Sequence, residues 1–95
     1  MAGYVIADVD VHDLNALEEY HKIAGPSLEI YGGKVIVGAG PHEVMEGKWN
    51  PHRVVVIEFD SVKRAKEWYS SDEFAPALAI RLKAATTDLI IVDGV

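Results

Sequence analysis

The segment Arg53 to Tyr69, RVVVIEFDSVKRAKEWY, leaves a chain of this size few folds to choose from. Valines, an isoleucine and a phenylalanine crowd its first half, and such β-branched and aromatic side chains suit a pleated, buried surface. Asp60 and Ser61 break the run, and either can accept from the free N–H groups of a first helical turn. Behind them Val62, Ala65 and Trp68 or Tyr69 recur at helical spacing. A strand that enters a helix across so short a joint has to pack back onto its own sheet.

An earlier stretch echoes this one. Val55-Val56-Ile57-Glu58-Phe59-Asp60 aligns without gaps on Val5-Ile6-Ala7-Asp8-Val9-Asp10, apolar on apolar and acid on acid. One residue out of step, Ala65, Glu67 and Tyr69 fall opposite Ala16, Glu18 and Tyr20, and Val35-Ile36-Val37 answers Ile90-Ile91-Val92. The pattern predicts β-α-β twice over, an α+β chain on the ferredoxin-like plan with a four-stranded antiparallel sheet.

Size and charge then remove whole classes of function. The 95 residues make one domain, residues 1–95, which buries roughly 60 to 70% of its unfolded surface and gains from association. A formal net charge of -6 at pH 7 opposes a phosphate backbone, so no nucleic-acid partner is expected. With no cysteine there is neither disulfide nor thiolate chemistry. Nothing before Tyr4 reads as a signal peptide and no apolar run reaches the roughly 20 residues of a bilayer span. The expectation is a cytoplasmic protein without a membrane partner.

Taken in order, Tyr4 to Val11 is a strand with Val5, Ala7, Val9 and Val11 on one side and Tyr4, Ile6, Asp8 and Asp10 on the other. Asp13 caps a helix whose apolar face is Leu14, Leu17, Tyr20 or His21, Ala24 and Leu28. Gly25-Pro26 predicts a kink or a fresh start within it, and Tyr31-Gly32-Gly33 its end. Lys34 to Ala39 forms the second strand. His42 to Glu46 extends that strand past a bulge or makes a short ribbon, and Gly47-Lys48-Trp49-Asn50-Pro51 is a turn. Ser70 to Glu73 carries the S-x-x-E capping pattern of a further helix with Phe74, Ala77, Leu78, Leu82 and Ala85 as its apolar side. Thr86-Thr87-Asp88 closes it, and Leu89 to Val92 is the last strand.

If Val55, Ile57 and Phe59 lie under the helices, Val54, Val56 and Glu58 join Tyr4, Ile6 and Asp8 on the far face, with Lys34, Ile36, Leu89 and Ile91 completing it. That face is too apolar for water. A second copy packed sheet to sheet, a homodimer closing an α+β barrel, is the expected cover.

Several stretches together resemble a known family. YGG at Tyr31 to Gly33, EGKW at Glu46 to Trp49, VVIEF at Val55 to Phe59, the KEWYSSDEF that follows, Arg81 and the closing LIIVDGV are similar to the domain-of-unknown-function 1330 family, in that order and over nearly the whole chain. The resemblance implies a ferredoxin-like dimeric α+β barrel, in a wider group that includes cofactor-free monooxygenases, isomerases and lactone-handling enzymes. It implies no settled activity. Gly38 stands where the family often has an arginine in the second strand, so an anion contact there is not carried over.

The candidate catalytic residues are Asp8, Glu58 and His52. The internal echo puts the two carboxylates at equivalent positions on strands expected to be neighbours, where mutual repulsion and lost hydration would raise a pKa into the range of proton transfer. Backbone or subunit contacts are the competing use of the same acids. His52 begins the same strand and face as Glu58, an acid or base at the barrel mouth or a plain surface residue. Tyr4, Trp49 and Arg81 are the candidate ligand contacts: Trp49 as a lid over a cavity or the dimer seam, Arg81 as a fork for a ligand carboxylate or as half of an internal ion pair. No two of His12, His21, His42 and His52 have ligand spacing on one helix; His42, Glu46 and His52 could converge only across a ribbon, and no metal site is expected. Gly38-Ala39-Gly40-Pro41 lacks a nucleotide fingerprint, there is no G-x-S-x-G elbow, and no cofactor is expected. Two functions stay open: a small enzyme or binder acting on an apolar or carboxylate-bearing molecule, and a non-catalytic assembly module whose acids fix dimer register.

Overall fold

The computed structural model describes all 95 residues. In chain order they form β1 (Gly3–Val11), α1 (Leu14–Tyr31), β2 (Lys34–Gly38), β3 (Val54–Phe59), α2 (Val62–Tyr69), α3 (Ala75–Ala84) and β4 (Ala85–Asp93). The sheet runs β2-β3-β1-β4 with every neighbouring pair antiparallel. This is the ferredoxin-like order, its second crossover divided into α2 and α3.

The alternation read in β1 is the alternation of burial. Val5, Ala7 and Val9 are buried, and their β3 counterparts Ile57 and Phe59 lie beside them under the helices. An aromatic cluster fixes the helices to that face. Trp68 stacks on Phe74 with ring centroids 4.0 Å apart and meets Phe59 at 5.5 Å, while its indole N–H donates to Ser27 Oγ at 2.9 Å. Ser27 in turn donates to the Ala24 carbonyl at 2.7 Å. A buried polar pair is thus satisfied inside an otherwise apolar core. At the strand-to-helix joint a Cβ on Gly3 would collide with the Ser61–Val62 peptide, which is how α2 lies so close to β1.

Local chemistry explains the element ends. Asp13 Oδ1 accepts from the backbone N–H groups of Asn15 and Ala16, and Ser61 Oγ from that of Arg64. Gly32 ends α1 in the left-handed region at φ 71°. Pro26 neither breaks nor restarts α1: the helix continues through it, because Gly25 and Pro26 lie in an exposed stretch where the carbonyl left without its N–H partner can face water.

Four further expectations need correction. The segment from Ala39 to Arg53 forms neither a strand extension nor a ribbon. Ser71, not Ser70, closes the turn that leads into α3, its Oγ accepting from the Phe74 N–H at 3.1 Å, while α3 itself has no side-chain cap and takes Pro76 in its first turn. The last strand begins at Ala85, so Ala77, Arg81 and Ala84 form the buried side of α3 while Leu82 is 68% exposed. Finally, β4 lies one residue out of the expected phase. Leu89 pairs with Ala7 and Ile91 with Val5 on the helix side, leaving Ile90 and Val92 on the open face opposite Ile6 and Tyr4. In the run Leu-Ile-Ile-Val every residue is apolar, so hydrophobicity carries no phase.

The open face nonetheless stays apolar through its middle. Val37 pairs with Val56, Val56 with Ile6 and Ile6 with Ile90, a row crossing all four strands. A β-bulge between Val35 and Val37 keeps β2 in that row.

Candidate functional site

The sheet offers two places where polar groups gather, one on each face. On the open face Asp8 sits in β1 opposite Val54, and the Ala39–Arg53 segment returns to it. Asp8 Oδ1 accepts from the His52 backbone N–H at 2.8 Å and Oδ2 from the Trp49 indole at 3.2 Å. The His52 ring lies between two acids, Nδ1 3.5 Å from Asp8 and Nε2 3.6 Å from Asp10. Those donors, the His52 backbone first, hold the Asp8 carboxyl below its ordinary range, against the opposing pull of burial. At the other end of the face Tyr4 donates its hydroxyl to Glu58 at 3.0 Å, and that acceptor and its charge push the Tyr4 phenol up.

The expected acid pair therefore does not form. Glu58 pairs across the strands with Tyr4 and Asp8 with Val54, which separates the two carboxylates by four residues of strand, roughly 13 Å. The internal echo is a repeat of two β-α-β halves, but β1 and β3 are antiparallel, so equivalent positions fall at opposite ends. Asp8 accordingly shifts down rather than up. Nor do His42, Glu46 and His52 converge. His42 hydrogen-bonds with Asn50 at 3.1 Å, and no group of three or more His, Cys, Asp or Glu side chains has metal-binding geometry.

The second place lies under the helices. Between the sheet and α1 a cavity of about 370 Å³ is walled by Val5, Ala7, Val9, Val55 and Ile57 from the strands, by Leu17, Tyr20, His21 and Ala24 from α1, and by Trp68 and Arg81. Val35, on the helix side of β2, forms its rim and is 50% exposed, because no helix covers that edge. Its volume lies within the range of small-molecule sites, and its lining is mainly hydrophobic with a few polar groups, the usual make-up of such a site.

Of the six residues singled out in the sequence, only Arg81 lines this cavity; Asp8, Glu58, His52, Tyr4 and Trp49 do not. Arg81 is 6% exposed. Its Nη1 donates to the Tyr20 hydroxyl at 3.3 Å, and the guanidinium stands 5.7 Å from the Tyr20 ring and 5.8 Å from that of Phe74. No carboxylate lies within 4.0 Å of it, so the internal ion pair considered for this residue is absent, and its Nε is buried without an acceptor. Tyr20, His21 and Arg53 also line the cavity. The sequence marked Tyr20 and His21 only as members of an apolar helical face, and nothing in the pattern marked Arg53.

A ferredoxin-like sheet with a ligand-sized interior beneath its helices defines the class of protein. Within that class the chain belongs to the family described as domain of unknown function (DUF1330), whose model matches residues 2–95. Among curated proteins none matches its sequence. A crystal structure of a protein of unknown function from Rhodopseudomonas palustris is similar with a TM-score of 0.79 at 20% identity, over 99% of this chain and 82% of that one. A dimeric ferredoxin-like protein of unknown function from Jannaschia sp. CCS1 follows at TM-score 0.65 and 9% identity, over 99% and 100% of the two chains. SnoaB, a cofactor-independent oxygenase from Streptomyces nogalater, is similar at TM-score 0.55 and 12% identity, over 99% and 92%. At these identities the likeness is one of fold.

Proposed function

We propose that this protein is a homodimeric small-molecule binder of the cofactor-free enzyme type, taking an apolar compound into the cavity between sheet and helices. The carrying observation is the cavity itself: about 370 Å³, mainly apolar and open at the β2 edge. The fold shared with a cofactor-independent oxygenase supports the same reading. Asp8 and Glu58 have no part in it, since they stand on the other side of the sheet. His21 is the lining side chain whose chemistry suits proton transfer, and no carboxylate lines the wall to compete with it.

The test is a thermal-shift screen with apolar small molecules. At least one compound is expected to raise the Tm, and Ala7→Leu at the cavity floor or Val35→Phe at its rim to abolish the rise. A library without effect, or stabilisation unchanged in both variants, overturns the reading.

The open face supports the dimer. Val37, Val56, Ile6 and Ile90 form one apolar row, Ile90 being 58% exposed in the single chain, and the Jannaschia protein of similar fold is dimeric. Sedimentation velocity is expected to give two copies for the native chain and one for Ile90→Lys. A native protein that sediments as one copy at high concentration removes this part of the proposal.

A further inference from the structure

Resting on the cavity reading, we infer that the ligand carries one carboxylate, or an equivalent small anion, on its apolar body, and that the Arg81 guanidinium receives it. The chain has 15 Asp and Glu against 9 Lys and Arg, yet no acid lines the cavity while Arg53, Arg81 and His21 do. Bulk composition predicts the opposite sign. A guanidinium taken out of water normally brings its counter-charge with it, because an unpaired buried charge is strongly unfavourable. Arg81 is buried without one.

What surrounds Arg81 positions the group without neutralising it. The Tyr20 hydroxyl occupies Nη1, and the Tyr20 and Phe74 rings lie beside the guanidinium plane. Nε is buried and unpartnered, and Nη2 donates to no protein acceptor. Nε is enclosed by the protein together with the equally unpartnered Thr87 Oγ1, so Nη2 is the donor of Arg81 left for an incoming anion. A neutral apolar ligand would leave the Arg81 charge without a counter-charge, whereas an anionic one supplies it. Discrimination between the two follows from the uncompensated buried charge.

The test uses 2-naphthoate and its uncharged isostere 2-naphthamide, titrated calorimetrically into the full chain. The native protein is expected to bind naphthoate at least ~10-fold more tightly than naphthamide. In Arg81→Met, which keeps an apolar side chain of similar length, the two affinities are expected to converge to within ~2-fold with naphthamide binding retained. Arg81→Lys keeps a positive charge but not the position of Nη2, and falls between them. Equal binding of the two ligands by the native protein, or a preference that survives Arg81→Met, overturns the anion site and leaves the cavity reading standing. An equal loss of both ligands in Arg81→Met marks a purely structural arginine and also overturns it. If neither ligand binds the native chain, the anion site is overturned, and the cavity reading is decided separately by the thermal-shift library.

Discussion

On the helix side of the sheet the charged groups that reach the interior are cations, Arg53 and Arg81, whereas on the open side the half-buried charges of β1 and β3 are the acids Asp8, Asp10 and Glu58. The two sets differ in how far they are satisfied. Asp8 has two donors within 3.2 Å and a histidine beside it, and Glu58 holds the Tyr4 hydroxyl. Arg81 has a single weak hydrogen bond and an orphaned Nε. A polar group whose partners are all supplied by its own chain is explained by folding; one left short of partners asks for something from outside. By that measure the open face is a structural surface with a locked corner, and the helix side is the one the proposed ligand would occupy.

The largest effect should come from removing what holds the helix side together. Trp68 is 1% exposed and joins Phe59, Phe74 and Ser27. Trp68→Ala is expected to cost about 3–5 kcal/mol in urea unfolding, a large share of what a domain of this size possesses. An equivalent truncation on the open face, Val56→Ala, should cost far less in a dilute, dissociated sample. Similar losses at both positions would erase the distinction between a packed face and an unpacked one.

A smaller effect, with a pH signature, is expected at Asp8. Its carboxyl is held below the ordinary 3.8 in the folded state, so it contributes stability that is present above the unfolded pKa and is lost as pH falls through the folded value. Asp8→Asn should therefore melt at a lower temperature than the native chain near neutrality, and the gap should close on acidification below about pH 4. Amide exchange at His52 should quicken in the same variant, since its N–H donates to Asp8. Ligand affinity in the cavity should not change. A gap that persists undiminished into strong acid, or a cavity that loses its ligand, would mean that the corner and the cavity are not separate devices.

How much of this is legible in the sequence depends on the kind of signal. Strand alternation in β1 and β3, a cap at Asp13, a second at Asp60 or Ser61 that the structure assigns to Ser61, and the glycine exit at Gly32 are local, and all appear in the structure. The sheet order follows from the repeat of two β-α-β halves. What failed was whatever needed a phase or a direction. The all-apolar Leu89 to Val92 gave no way to choose which residues face the helices, and Leu82, expected on the apolar side of α3, is exposed, whereas Arg81 does lie on that side. The repeat correctly matched Asp8 with Glu58 as equivalents, yet antiparallel pairing turns equivalence into separation. The cavity itself had no sequence mark, because the residues that enclose empty space are of the same types as those that fill it.

The smallest expected effect tests whether the other end of the open face is as self-contained as the Asp8 corner. Tyr4 donates to Glu58, and the phenol is pushed above its ordinary 10.0 by that bond and by the acid's charge. A raised folded pKa contributes stability that is fully present below the unfolded value and is lost as pH rises through the folded one. Tyr31 is pushed up in the same way by Glu73, to which it donates at 2.8 Å. Of the 4 tyrosines, two should thus ionise late in an alkaline titration followed by phenolate absorbance. Tyr4→Phe should remove one late step and Tyr31→Phe the other, and Glu58→Gln should bring the Tyr4 step back toward the ordinary range. Cavity binding at neutral pH should be the same in Tyr4→Phe as in the native chain, because the hydroxyl stands on the far side of the sheet. A Tyr4→Phe protein that loses its ligand would instead join the open face to the site, and the division of labour between the two faces would have to be abandoned.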